Sequence, residues 1–124
     1  MDVVCSNTAM KFREQSLGKT VRFLLPSLKL KQPGRKARTA EEDVHEFLVA
    51  NFGGYTALAA NHFGYWKDEG GRDTYGEHRQ FTVALTSEEK LPQLKSFLAE
   101  ISETLGEECL YVEVAGESLL ICPR

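Results

Sequence analysis

Glu77, His62 and Arg79 bring a carboxylate, an imidazole and a guanidinium into one stretch, 51–85, beside the aromatic residues Trp66 and Tyr75. Groups of these types exchange protons with a substrate when burial or a neighbouring charge shifts their pKa, so the five residues form a candidate ligand pocket. The competing reading is an ion-pair network, Glu77 with Arg79 or His62, that only closes the end of a sheet, and it is the favoured one. A second set, Tyr55, Phe63, Tyr65 and His78, could make an aromatic platform. Single-stranded RNA stacks on such surfaces, but the RNP1 string is missing and the segment is acidic, the wrong sign for phosphate. These four are therefore interface candidates, covered by a second copy of the chain in a homodimer.

The third set is basic. Lys29, Lys31, Arg35, Lys36 and Arg38 crowd the segment KLKQPGRKAR, just ahead of a helix start at Thr39. They are anion-binding candidates, for a polyanion or for a single phosphate at the helix N-terminus, against the plainer reading of a solvated loop. SLGKT at 16–20 has Arg13 where a phosphate loop needs its first glycine, so it reads as a turn. His45, His62 and His78 show no metal-ligand spacing, and Asp68, Glu69 and Asp73 lack a calcium-loop pattern. No metal and no cofactor is expected.

The element that must position these residues is one long β-hairpin over 52–85. Gly70-Gly71 supplies the positive φ angles of a two-residue loop, which sets Trp66 opposite Tyr75, Gly64 opposite Glu77, His62 opposite Arg79, Ala60 opposite Phe81, Leu58 opposite Val83 and Thr56 opposite Leu85. Side chains alternate along a strand, so the pocket set falls on the helix-facing side and Tyr55, Phe63, Tyr65 and His78 on the other. Ahead of the hairpin, Thr39 and Glu42 form a capping box for a helix carrying Ala40, Val44, Phe47 and Leu48, stopped by Gly53-Gly54. After it, Thr86 or Ser87 caps a second helix with the stripe Leu91, Leu94, Leu98, Ile101 and Leu105, and Pro92 confines Ser87 to Lys90 to an entry turn. Met10 to Glu14 and Lys19 to Leu25 read as a small hairpin, residues 1–9 as a loose arm in which Val3 and Val4 could add an edge strand, and CLYVEV with SLLIC as a last strand pair. The fold class is α+β, a ferredoxin-like split βαβ (βαββαβ) antiparallel sheet with two helices on one face and an extra C-terminal strand, in a single domain over 1–124.

Several of these pieces, in order, resemble a known family: Gly34-Arg35, HEFL at 45–48, FGGYT at 52–56, GYW at 64–66 with an acidic glycine-containing turn, then Glu77 and an apolar strand. The family is one of small bacterial proteins known only as a domain of unknown function. The resemblance covers roughly residues 34–114. It implies a ferredoxin-like fold and brings no activity with it; many members are exported or lipid-anchored, which is not expected of this chain.

Charge is the strongest compositional signal. Residues 11–38 hold nine basic side chains and one acidic, a net +8, whereas 39–124 hold six basic and sixteen acidic, a net −10. Cys5, Cys109 and Cys122 are odd in number without a CxxC pair and read as reduced thiols. No run approaches the ~18 apolar residues of a membrane span, and no signal-peptide pattern is seen, so a soluble, cytoplasmic protein is expected. The leading functional reading is a non-catalytic binding or assembly protein acting through a sheet-face homodimer. The alternative is a small-molecule-binding protein or enzyme with its pocket at the hairpin mouth, and the third is a nucleic-acid or polyanion binder through 29–38. Neither a nucleic-acid nor a membrane partner is expected.

Overall fold

The structure is a computed structural model that describes residues 3–5, 11–34, 37–58 and 61–124. Two short strands, β1 (Val3–Cys5) and β2 (Arg13–Gln15), pair antiparallel in a sheet of their own. The main sheet takes β3 (Lys19–Pro26), β4 (Thr56–Ala57), β5 (His62–Lys67), β6 (Asp73–Leu85), β7 (Leu110–Val114) and β8 (Glu117–Ile121), with α1 (Ala40–Phe52) and α2 (Lys90–Thr104) between them. Its order is β4, β6, β3, β7, β8, with β5 also on β6, and every neighbouring pair is antiparallel. The protein is thus α+β, two helices with a six-stranded antiparallel sheet.

The expected pairing of 10–14 with 19–25 does not form. β2 is exposed along its length and has no face to bury, whereas β3 alternates Val21, Phe23 and Leu25 into the core and so takes the middle of the sheet, between β6 and β7. Val3 and Val4 do enter a strand, but beside β2; the rest of the expected arm, and Met10, lie outside the described residues.

One face of the sheet and both helices bury a single cluster in which Val21, Phe23, Phe81, Val83 and Val112 meet Val44 and Leu48 of α1 and Leu94, Leu98 and Ile101 of α2. The capping box at Thr39 and Glu42 is present, and Gly53 ends α1 in the left-handed region at φ 76°. α2 follows the entry turn expected over 87–90, where the Lys90 N–H donates to the Ser87 carbonyl, but the side-chain cap expected at Thr86 or Ser87 is absent. Lys90 opens it, no side chain caps it, and Pro92 falls in its first turn, where a missing N–H costs no helical bond.

The long hairpin is where sequence and structure part. Asp68 N–H donates to the Arg72 carbonyl and Gly71 N–H to that of Asp68, both at 2.9 Å, and only Gly71 of the two glycines has positive φ, 78°. This is a three-residue loop, 69–71, in which a turn closes on one left-handed glycine. Asp68 Oδ1 accepts the Arg72 N–H at 2.9 Å and holds it. The loop moves the register by one residue, so Trp66 faces Thr74, Tyr65 faces Tyr75, Phe63 faces Glu77 and His62 faces His78. A one-residue slip turns every side chain of β5 to the other face. Nor is the first strand continuous: β4 sets Thr56 against Thr82 and Ala57 against Phe81, so two extra residues are accommodated between β4 and β5. Leu58 donates its N–H to Gln80 rather than facing Val83, and Ala60 lies outside the described residues.

The cysteines also differ from expectation. Cys109 and Cys122 form a disulfide. Leu110 pairs with Ile121, so the next residues outward come face to face, with Cα atoms 4.1 Å apart. Among the described residues no helix is long and apolar enough to cross a membrane.

Candidate functional site

β5 and the first half of β6 run past the core as a two-stranded arm, and its two faces carry different chemistry. On the helix side lie Phe63 and Tyr65 of β5 beside Tyr75 and Glu77 of β6. Tyr65 and Tyr75 have ring centroids 5.2 Å apart, and Phe63 and Tyr75 6.3 Å. Phe63 and Tyr65 remain 71% and 74% exposed, so these rings are a surface and not part of the core. The Tyr75 hydroxyl has a raised pKa, first from loss of solvent and then from the neighbouring Glu77 carboxylate.

Two residues further along the same face stands Arg79, and here α1 contributes. Arg79 Nη1 donates to Glu41 Oε2 at 2.7 Å, and Lys31 pairs with the other oxygen of that carboxylate. Those two cations hold Glu41 below the usual carboxylate range, the hydrogen bond from Lys31 being the largest cause. Arg79 Nε is buried and has no acceptor among the described residues. One helical turn along α1 from Glu41, His45 Nδ1 lies 2.8 Å from the Tyr55 hydroxyl, and the Tyr55 ring packs on Phe81. Glu41 and His45 were not singled out from sequence, although their spacing of four sets them on one helix face.

The opposite face of the arm holds Trp66, His62 and His78. The Trp66 indole lies across Gly76, where a Cβ would come within 2.5 Å of it and within 2.7 Å of the His78 ring. His78 is half-buried, and that burial lowers its pKa, with His62 acting in the same direction and Glu107 against it.

The two site sets read from sequence are therefore recombined. The expected group of His62, Trp66, Tyr75, Glu77 and Arg79 is split, because the shifted register leaves Tyr75, Glu77 and Arg79 on the helix side and puts His62 and Trp66 behind them. The expected interface of Tyr55, Phe63, Tyr65 and His78 is dismantled for the same reason: only His78 faces away from the helices. Among the described residues no ion pair joins Glu77 to Arg79 or His62, and Arg79 pairs with Glu41 instead. The described cations of the basic segment, 29–38, are each paired with an acid. Lys29 pairs with Glu107, Lys31 with Glu41, and Arg38 with Asp43 and Glu46, while Arg35 and Lys36 lie outside the described residues. No group of three or more His, Cys, Asp or Glu side chains among the described residues is arranged to hold a metal. A concavity of about 470 Å³ lies elsewhere, lined by Phe47, Pro92, Gln93, Ser96, Phe97 and Glu100; with one acid and no base, it offers less chemistry than the arm.

No protein-family model matches the chain, which leaves the resemblance to the small bacterial family without support. No curated protein sequence matches it either. Solved structures do. A phage SAM lyase in complex with S-methyl-5'-thioadenosine superposes with a TM-score of 0.59 over 91% of this chain and 95% of its own, at 16% identity. A phage SAM lyase in the apo state gives 0.54 over 86% and 90%, at 17% identity. These matches are to proteins other than those of the family read from sequence, which they contradict. They also overturn the reading of a non-catalytic assembly protein, because the fold is shared with an enzyme. Over nearly the whole length of both chains, the fold is similar to that of a phage SAM lyase.

Proposed function

We propose that this chain is a small-molecule enzyme that binds an adenosyl sulfonium compound, S-adenosylmethionine (SAM) or a close analogue, on the helix side of the β5–β6 arm and cleaves it to S-methyl-5'-thioadenosine. The observation that carries this reading is the fold likeness to SAM lyase combined with the row of Tyr65, Phe63, Tyr75 and Glu77 on that arm. We also read the order β4/β5, β6, β3, β7 as the ferredoxin-like split βαβ arrangement, with β8 as the added strand.

The chemistry fits the row. Release of S-methyl-5'-thioadenosine breaks the bond between sulfur and the aminobutyrate carbon as an oxygen of the substrate's own carboxylate bonds to that carbon and closes a lactone; the electron pair of the broken bond goes to sulfur, and the sulfonium leaves as a neutral thioether. The site must therefore hold a cation whose charge vanishes in the reaction. Aromatic faces attract a sulfonium without a strong counter-charge and also stack on adenine. Glu77 places a carboxylate beside the rings, on the same strand face as Tyr75, whereas Asp73 on that face is paired with Lys67. Each ring interaction of this kind is worth ~0.5–1.5 kcal/mol, up to about tenfold in affinity.

The test is direct. Incubated with SAM, the protein should release S-methyl-5'-thioadenosine, measured by liquid chromatography, and Glu77→Gln should cut the rate at least about tenfold while Tyr65→Ala weakens binding by up to about tenfold. Failure of the unmutated protein both to form the product and to bind it would sink the reading.

A further inference from the structure

We propose that Arg79, set against Glu41 of α1, takes the carboxylate of an amino-acid tail, so that this site selects an adenosyl compound carrying its amino acid over the bare nucleoside. The inference rests on the reading above and assigns the other end of the ligand. Tyr75, Glu77 and Arg79 stand on one face of β6 at every second residue, so the row from Tyr75 to Arg79 is ~13 Å long at the rise of a strand. Aromatic rings occupy one end of that row and an ion pair the other.

Three features of the ion pair suit an amino acid. A guanidinium has five donors in a planar fork, and Arg79 spends one nitrogen on Glu41 at 2.7 Å. Its Nε is buried without an acceptor among the described residues, a costly state that an incoming carboxylate would relieve from the Nε edge of the fork. Glu41 lies between Lys31 and Arg79, remains ionised at neutral pH, and gives the ammonium of the same amino acid an acceptor. The charges then match along the row: carboxylate to Arg79, ammonium to Glu41, sulfonium to the rings and Glu77. A purely structural Arg79–Glu41 clamp, tying the start of α1 to β6, makes no such distinction between ligands.

Two probes separate these possibilities. S-methyl-5'-thioadenosine lacks the tail; S-adenosylhomocysteine carries it on a neutral thioether that is a poorer leaving group. Both would be titrated calorimetrically into the unmutated protein, Arg79→Gln and Arg79→Lys, with thermal unfolding recorded for each. We expect both probes to bind the unmutated protein, Arg79→Gln to weaken S-adenosylhomocysteine at least about tenfold with the nucleoside changed less than about twofold, and Arg79→Lys to fall between, since it keeps the charge and loses the fork. Should Arg79→Gln fail to fold, the lysine variant, which retains a cation for Glu41, carries the same comparison. Equal losses for the two probes, no loss for either, or binding of the nucleoside alone by the unmutated protein would overturn this assignment and leave the enzyme reading standing. Binding of neither probe would remove both.

Discussion

His78 shows how a single side chain reports its surroundings. It sits under Trp66 on the side of the arm away from the helices, and burial holds its imidazole below the ordinary pKa of ~6.5. Glu107, itself paired with Lys29, pulls the other way, and His62 reinforces the depression. Because the native state takes up this proton at lower pH than the unfolded chain does, stability is complete above ~6.5 and declines as pH falls toward the native pKa. Urea midpoints measured from pH 8 down to 5 should therefore drop, and His78→Gln should flatten that part of the curve. An unchanged slope in the variant would mean that another group is responsible. The residues of the candidate site were themselves legible in the sequence, since Phe63, Tyr65, Tyr75, Glu77 and Arg79 all stood out by type. Their grouping was not, because it depends on which face each occupies.

At the scale of elements, that face is decided by one loop residue. A two-residue turn would need positive φ at both glycines; the observed loop needs it at Gly71 only. Gly71→Ala should accordingly cost about 1–2 kcal/mol from left-handed strain alone, whereas Gly70→Ala, whose Cβ would meet nothing nearer than Asp68 Oδ1 at 3.4 Å, should be nearly neutral. Equal losses at the two positions in thermal melts would favour the shorter turn. Local signals elsewhere were sufficient. Thr39, Glu42 and Gly53 bounded α1 correctly because a cap is a contact among neighbours in sequence. The partner of β2 and the disulfide were not legible, since each depends on which distant segment lies opposite.

Across the described residues of the molecule, folding brings five cations of the basic segment against acids of the rest of the chain. Lys19, Arg22, Lys29, Lys31 and Arg38 of the basic segment each pair with an acid from residue 41 onward. Most of these pairs are at least partly exposed and worth ~0–1 kcal/mol each, so NaCl up to ~1 M, where the Debye length is ~3 Å, should lower Tm by no more than a few degrees. Elution from heparin at low salt is the companion measurement, and firm retention would show that the basic segment still presents its charge. The disulfide has a mechanical side as well. Cys109 and Cys122 close a covalent ring around β7 and β8, with a sequence separation of 13. Tension applied anywhere beyond Cys122 therefore enters the fold through Cys109, at the loop after α2, and bypasses the edge strand. β8 cannot be unzipped from that end while the ring is closed. Once a reductant opens it, the edge becomes the first strand to peel.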